Sequence, residues 1–149
     1  MITLHAIDKD NWEDCIRLKP TPEQEKWIAP NLYSIAEAQF MEGFETRAIY
    51  HDEEMIGFVM YGLHPHDDNY WIYRFMIDGK FQGLHYAKPA IRLVLEEIRS
   101  SPDTTDDVML CYKPENERAK RLYSQIGFKE SGIAPWGDVM AKYSFINRL

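Results

Sequence analysis

Residues 78–90 read DGKFQGLHYAKPA and predict a strand that stops at a glycine turn, with a helix starting after the turn. An aromatic and apolar run, residues 70–77, precedes the turn, and an amphipathic run ending near Arg99 follows it. The first N–H groups of a helix have no partner inside the helix, and the helix dipole favours negative charge there. The unit therefore predicts an anion site suited to the pyrophosphate of a nucleotide-type cofactor.

The composition predicts one globular domain over residues 1–149, with 45% apolar and 28% charged residues. No apolar run approaches the roughly 20 residues that cross a membrane, and the N-terminus lacks the basic and apolar blocks of a secretory signal. The two cysteines, Cys15 and Cys111, lie far apart in sequence. We therefore expect reduced thiols in a cytoplasmic protein, and no metal.

The charge balance argues against nucleic acid and membranes as partners. The chain has 17 basic and 24 acidic residues, a net charge of −7, which repels phosphate backbones and anionic headgroups. A cationic small molecule would be attracted, although a net charge of this size also serves solubility alone. One loop contains residue types that can bind metals: His64, His66, Asp67 and Asp68. We interpret it as a solvated loop at the mouth of a substrate site.

Hydrophobic periodicity predicts an α/β fold of the α+β type, a mixed sheet with helices on both faces. Strands are predicted at residues 2–6, 47–51, 55–63, 70–77, 108–112, 129–131 and 139–145. Helices are predicted from Asp8 or Asp10 to Leu18, from Pro22, from an Asn31 cap to Gly43, after residue 85 to Arg99, and from Pro114 to Ile126. In the helix that ends near Arg99, apolar residues at spacings of three and four form a core-facing stripe: Ile91, Val94, Leu95 and Ile98.

A second loop and helix, residues 113–128, brings polar residues onto one helical face. Asn116, Ala119, Lys120 and Tyr123 lie three, four and seven positions apart, so they share a stripe. An amide, a small residue and a phenol on one stripe could line an elongated ligand. The alternative is that Tyr123 packs in the core with its hydroxyl satisfied.

Together the two segments resemble the GNAT superfamily of acetyl-CoA-dependent N-acetyltransferases. The pyrophosphate pattern Gln/Arg-x-x-Gly-x-Gly/Ala is matched by Gln82 and Ala87, with His85 in place of the middle glycine. The later pattern, Asn-x-x-Ala-x-x-x-Tyr-x-x-x-Gly-Phe, is matched in full by Asn116, Ala119, Tyr123, Gly127 and Phe128. The resemblance covers essentially the whole chain. Within the superfamily it is strongest to the bacterial spermine/spermidine (diamine) acetyltransferases, through residues 18–38 and 70–78.

The resemblance implies a mostly antiparallel sheet of about six or seven strands with acetyl-CoA as co-substrate. Acetyl-CoA would lie in a V-shaped gap between the strands ending at Ile77 and Tyr112, and backbone N–H groups near Ile77 would polarise the thioester. The implied cofactor-binding residues are Phe75, Met76, Ile77, Gln82, Gly83, Leu84, His85, Tyr86, Ala87, Lys88, Asn116, Ala119, Lys120 and Tyr123.

The implied acceptor is a small cationic molecule such as spermidine or spermine. In the implied reaction, a primary amine of this acceptor attacks the thioester of acetyl-CoA directly. The amine pKa is about 10.4, so a proton must leave first. The resemblance assigns Tyr123 as the general acid to the departing thiolate. Tyr73, a water chain, Glu23 and Glu37 remain candidate bases.

Several alternatives stay open at this point. His85 must either hold a helical conformation or push the cofactor outward, and a weakened turn would make the chain a CoA-binding regulatory or interaction module. A peptide N-terminus or an aminoglycoside could replace the polyamine as acceptor. Exposed closing strands make a homodimer plausible. Four tryptophans are expected in the core or in a substrate wall: Trp12, Trp27, Trp71 and Trp136.

Overall fold

The computed structural model describes residues 1–146, so the last three residues of the domain predicted over 1–149 lie outside the described part. The strands are β1 (Ile2–Ala6), β2 (Phe44–His51), β3 (Glu54–Leu63), β4 (Tyr70–Ile77), β5 (Asp107–Tyr112), β6 (Lys129–Ile133) and β7 (Val139–Ser144). The helices are α1 (Trp12–Arg17), α2 (Asn31–Ala38), α3 (Ala87–Arg99) and α4 (Glu117–Ile126), with a 3-10 turn at Gly79–Phe81. Within residues 1–146, no helix has the length and apolar character needed to cross a membrane.

The seven strands form one sheet in the order β1-β2-β3-β4-β5-β7-β6. β4 and β5 run parallel, and every other neighbouring pair is antiparallel. A parallel pair requires a crossover connection, which α3 supplies between β4 and β5. The expected mixed, mostly antiparallel sheet is confirmed.

Helices cover both faces of this sheet, as the periodicity predicted. The α3 stripe is buried in a cluster with Val59, Tyr61 and residues of β5, on the face that α4 also covers. On the opposite face, Phe58 and Met60 pack with Cys15 of α1 and with residues of α2. Successive residues of β3 therefore enter opposite cores, which explains why this central strand is apolar almost throughout.

The segment after Pro22 is a series of turns rather than the predicted short helix. The N–H of Gln24 donates to Thr21 O at 2.9 Å and that of Trp27 to Gln24 O at 2.9 Å, each bond closing one turn. Prolines bound the segment on both sides, and so short a helix has little stability of its own in water. The turns instead place Ile28 against the core and leave Trp27 beside a cavity.

Helix α2 differs from its prediction at both ends. Pro30 precedes the helix, and the predicted cap Asn31 is its first residue, buried with Nδ2 donating to Cys15 O at 2.9 Å. The helix ends at Ala38 instead of continuing to Gly43. Phe40 follows the helix and is 89% exposed, because the chain tightens into turns after Ala38.

Candidate active site

A β-bulge in β4 opens the sheet. Met60 pairs with Arg74 and Tyr61 with Ile72, so Tyr73 is an extra residue without a partner in β3. A bulge of this kind bends its strand and increases the local twist. β4 pairs with β5 only at Tyr70 and Trp71, and the two strands separate beyond that point. The gap that the resemblance implied between these strands is therefore present.

A cavity of about 1030 Å³ fills this gap, bordered by the ends of β4 and β5 and by the starts of α3 and α4. Beyond Trp71, the edge of β4 that faces the gap has no paired strand. Its backbone N–H and C=O groups are therefore available to an extended ligand, except the C=O of Ile77, which accepts a hydrogen bond from Gln82 Nε2. Most of the predicted cofactor residues line the cavity: Phe75, Met76, Ile77, Gln82, Gly83, His85, Tyr86, Ala87, Lys88, Asn116, Ala119 and Tyr123.

Two predicted residues do not line the cavity. Leu84 is half-exposed on the turn, and Lys120 extends toward Glu130, with Nζ at 3.8 Å from Oε1. Arg118 and Arg121 of α4 line the cavity and were not among the predicted residues. Both follow Asn116 in a run rich in basic residues, so clustered positive charge was the available signal.

The turn before α3 presents backbone donors, as the sequence predicted. Helix α3 begins at Ala87, and no side chain caps its first N–H groups. Tyr86, Ala87 and Lys88 therefore direct N–H groups toward the cavity end of the helix, where the dipole is positive. Pro89 has no N–H to satisfy, so its place in the first turn is favourable.

The side chain of Gln82 holds this turn rather than facing a ligand freely. Its Nε2 donates to Ile77 O at 2.9 Å and to Gln24 Oε1 at 2.7 Å. The end of β4, the turn and the segment before α2 are thus joined through one amide pair. Only the backbone of Gln82 is then available for pyrophosphate.

His85 does not hold the helical conformation that was one of its two expected outcomes. Its φ is 65°, in the left-handed region, so it keeps the conformation of the glycine that the pattern prefers. Gly83 also has positive φ, at 81°. The turn path that glycine would follow is therefore present, with some strain at His85 and its ring exposed to solvent.

Replacing His85 by glycine should leave the free energy of unfolding unchanged or raise it by up to about 1.5 kcal/mol. The left-handed conformation costs a non-glycine residue about 1–2 kcal/mol, whereas glycine loses about 0.5–1 kcal/mol more backbone entropy on folding. His85→Ala keeps the strained Cβ and serves as the matched control. Urea unfolding of the three proteins tests this, and a glycine variant less stable than the alanine variant would contradict it.

Asn116 caps α4, which begins at Glu117 rather than at the predicted Pro114. Its Oδ1 accepts the N–H of Ala119 at 3.1 Å, an N-cap bond that satisfies one free donor of the first turn. The loop before the cap turns on a bond from the Asn116 N–H to Lys113 O at 2.9 Å. Asn116 therefore sets where the helix starts and where Ala119 meets the cavity.

Tyr123 combines both interpretations left open by the sequence. Its ring is buried, stacked on Tyr112 at a centroid distance of 6.0 Å and edge-on to Phe128 at 5.6 Å. It also lines the cavity, and its hydroxyl makes no hydrogen bond with another residue in the described range. Burial, together with the neighbouring Tyr112, raises the pKa of Tyr123 above its ordinary value. The phenol is therefore a protonated donor beside the cavity.

Neither glutamate considered as a base lines the cavity. Glu37 Oε1 lies 2.5 Å from Nη1 of Arg74, whose guanidinium also donates to Ser34 Oγ at 3.1 Å. Glu23 is exposed on the turn segment. Tyr73 does line the cavity, at the bulge, with its ring 4.8 Å from the Arg74 guanidinium. An acidic residue absent from the predictions, Asp138, also lines the cavity.

Three of the four tryptophans belong to the cavity wall: Trp27, Trp71 and Trp136. The Trp71 ring nitrogen donates to Asp67 Oδ2 at 2.7 Å, so the loop after β3 fixes this indole. His64, from the same loop, also lines the cavity, and its Nδ1 accepts the N–H of His66 at 3.1 Å. Across residues 1–146, no group of three metal-binding side chains is arranged around a common point.

Known proteins resemble this chain in both sequence and fold. Spermine/spermidine N(1)-acetyltransferase of Bacillus subtilis strain 168 is 26% identical over 137 residues, covering 88% of this chain and 90% of that protein. Spermidine N-acetyltransferase from Vibrio cholerae, solved with CoA and spermine, superposes with a TM-score of 0.77 at 17% identity, over 96% of this chain and 95% of that one. Aminoglycoside acetyltransferase AAC(6')-Ib, solved with coenzyme A, gives a TM-score of 0.79 at 16% identity, over 97% and 95% of the two chains.

The family model described as the acetyltransferase (GNAT) family matches residues 4–128, most of the chain. The matched residues include β4, the turn before α3 and the Asn116–Phe128 pattern. The solved neighbours establish the fold, and the cleft between β4 and β5 is bordered by the unpaired edge of β4 and by cationic side chains of α3 and α4. The chain therefore belongs to the acetyltransferase (GNAT) family and is an acetyl-CoA-dependent N-acetyltransferase.

Proposed function

We propose that the protein acetylates a primary amine of a small cationic acceptor, such as spermidine or spermine. The observation that carries this proposal is the composition of the cavity wall away from α3. Trp27, Trp71 and Trp136 line it together with the carboxylate of Asp138. Indole faces attract ammonium groups and pack against methylene chains, so they suit an aliphatic polyamine. The similarity to the spermine/spermidine N(1)-acetyltransferase of Bacillus subtilis supports the same acceptor class.

Acetyl-CoA would bind along β4 with its pyrophosphate at the start of α3. The free N–H groups at Ala87 and Lys88 and the positive end of the helix dipole are suited to the phosphates. Lys88, Arg118 and Arg121 supply positive charge along the same cavity. The unpaired edge at Phe75–Ile77 would bind the pantetheine arm and direct an N–H at the thioester oxygen.

Amine activation then depends on proton loss to water. Only about one amine in a thousand is unprotonated near pH 7.4 if its pKa is about 10.4. Glu37 is ion-paired with Arg74, and neither Glu37 nor Glu23 lines the cavity, so we do not assign this proton to either of them. Tyr73, which lines the cavity at the bulge, would orient a water molecule that removes this proton. Tyr123 then donates a strong hydrogen bond to the leaving thiolate.

An acceptor screen that detects the thiol of released CoA tests the proposal. Spermidine and spermine should release CoA faster than a peptide with a free N-terminus or an aminoglycoside at equal concentration. Mass spectrometry should find one acetyl group on the amine. Acetyl-CoA binding without amine-dependent release would instead make the chain a CoA-binding regulatory or interaction module.

A further inference from the structure

One carboxylate lines the cavity within the described residues, and it belongs to Asp138. Asp138 directly precedes β7, whose first residue Val139 pairs with Tyr112 at the end of β5. The carboxylate therefore lies beside the open end of the gap. Burial, with the Asp138 charge nearby, raises the pKa of Cys111 to about 11, which is consistent with a carboxylate close to the end of β5.

The two oxygens of this carboxylate have different partners. Oδ2 accepts a hydrogen bond from Trp136 Nε1 at 3.1 Å, which orients the group. Oδ1 is buried and accepts no well-aligned hydrogen bond from any residue in the range 1–146. Lys113 Nζ lies 3.0 Å from Oδ1 as an ion-pair contact. The charge of Asp138 is thus balanced by a single lysine that is itself 39% exposed.

These residues form a cluster at one mouth of the cavity. Trp27, Lys113, Trp136 and Asp138 line both the main cavity and a shallower one of about 420 Å³ beside it. They therefore lie where the two spaces meet. A long acceptor that reaches the thioester with one amine would pass this point with the remainder of its chain.

We propose that Asp138 binds a second ammonium group of a diamine or polyamine acceptor, and that Lys113 occupies this position until the acceptor displaces it. The inference rests on the proposed function and names the residue that selects for multiply charged amines. Exchange of one ammonium for another keeps the carboxylate paired throughout, so no buried charge is left without a partner. The lysine loses little on release because its stem is partly exposed. A monoamine has no second charge with which to displace it.

The test compares kcat/KM for spermidine with kcat/KM for n-butylamine in wild type and Asp138→Asn. The amide keeps the volume and can still accept from Trp136, but it loses the charge. The spermidine preference should fall about tenfold or more. Asp106→Asn makes the same change in charge at an exposed position near the opposite end of β5, and it should keep the wild-type preference.

A second variant separates ligand exchange from a structural ion pair. Lys113→Met removes the resident cation, so the KM for spermidine should fall about threefold while Asp138→Asn raises it. If the pair served only to hold the turn, both variants would raise KM. That result, or an unchanged spermidine preference in Asp138→Asn with an active wild type, overturns the inference alone. No CoA release by the wild type with any amine overturns the proposed function and this inference with it.

Discussion

Replacing Tyr123 by phenylalanine should lower kcat at least about tenfold while the dissociation constant for acetyl-CoA changes less than about twofold. The ring already packs between Tyr112 and Phe128, so phenylalanine can keep those contacts. Only the hydroxyl is lost, and that hydroxyl has no other hydrogen-bond partner in the described range. The thiol of the departing CoA has a pKa near 8.5, which is lower than the pKa of the phenol. Tyr123 therefore donates a strong hydrogen bond to the thiolate and does not transfer its proton completely.

The pH dependence has a defined sign. Burial raises the pKa of Tyr123, so the protonated form that donates is present throughout the neutral range. At pH values below about 10, kcat should therefore show no decrease caused by loss of the Tyr123 proton. Tyr143→Phe removes the same group from a neighbouring ring outside the cavity and serves as the control. Steady-state kinetics with equal kcat in wild type and Tyr123→Phe would remove Tyr123 from the mechanism.

Replacing Ala119 by tryptophan should raise the dissociation constant for acetyl-CoA about a hundredfold, equivalent to about 2.7 kcal/mol. Ala119 lies in the first turn of α4, held by the Asn116 cap, and its side chain faces the gap that we assign to the cofactor. An indole there would occupy space between α4 and the edge of β4. Ala119 is only partly buried at the edge of the core and lines the cavity, so the added ring can extend into the cavity.

Ser124→Trp places the same bulk on the same helix at an exposed position outside the cavity. Its acetyl-CoA affinity should match that of the wild type, which separates obstruction from a general effect of tryptophan on α4. Thermal unfolding of both variants should show similar midpoints. The helix propensity of tryptophan differs from that of alanine or serine by only about half a kcal/mol or less. Equal affinity in Ala119→Trp and Ser124→Trp would exclude cofactor binding along this face.

The features that sequence alone predicted are those set by local pattern. The α3 stripe from Ile91 to Ile98 follows from spacings of three and four, and all of it is buried. The Asn116 pattern predicted the polar face of α4. The helix starts at Glu117, three residues after the predicted start at Pro114, because the cap geometry and not the proline sets its first turn.

The features that sequence missed depend on distant pairing. Tyr73 becomes a bulge because of its register against Met60 and Tyr61, which no local signal reveals. Asp138 joins the cavity because β7 pairs with β5, whereas in sequence it is only a turn residue after Gly137. His85 adopts a positive φ, which residues with a Cβ rarely take, because the surrounding turn determines the path of the chain.

Isothermal titration of acetyl-CoA into the wild-type protein tests most directly that the gap between β4 and β5 is a working cofactor site despite His85. We predict saturable binding at one site per chain, binding at least as tight in His85→Gly, and severe weakening in Ala119→Trp. A folded wild-type protein that releases no heat and shows no binding by a second method such as equilibrium dialysis would contradict the account.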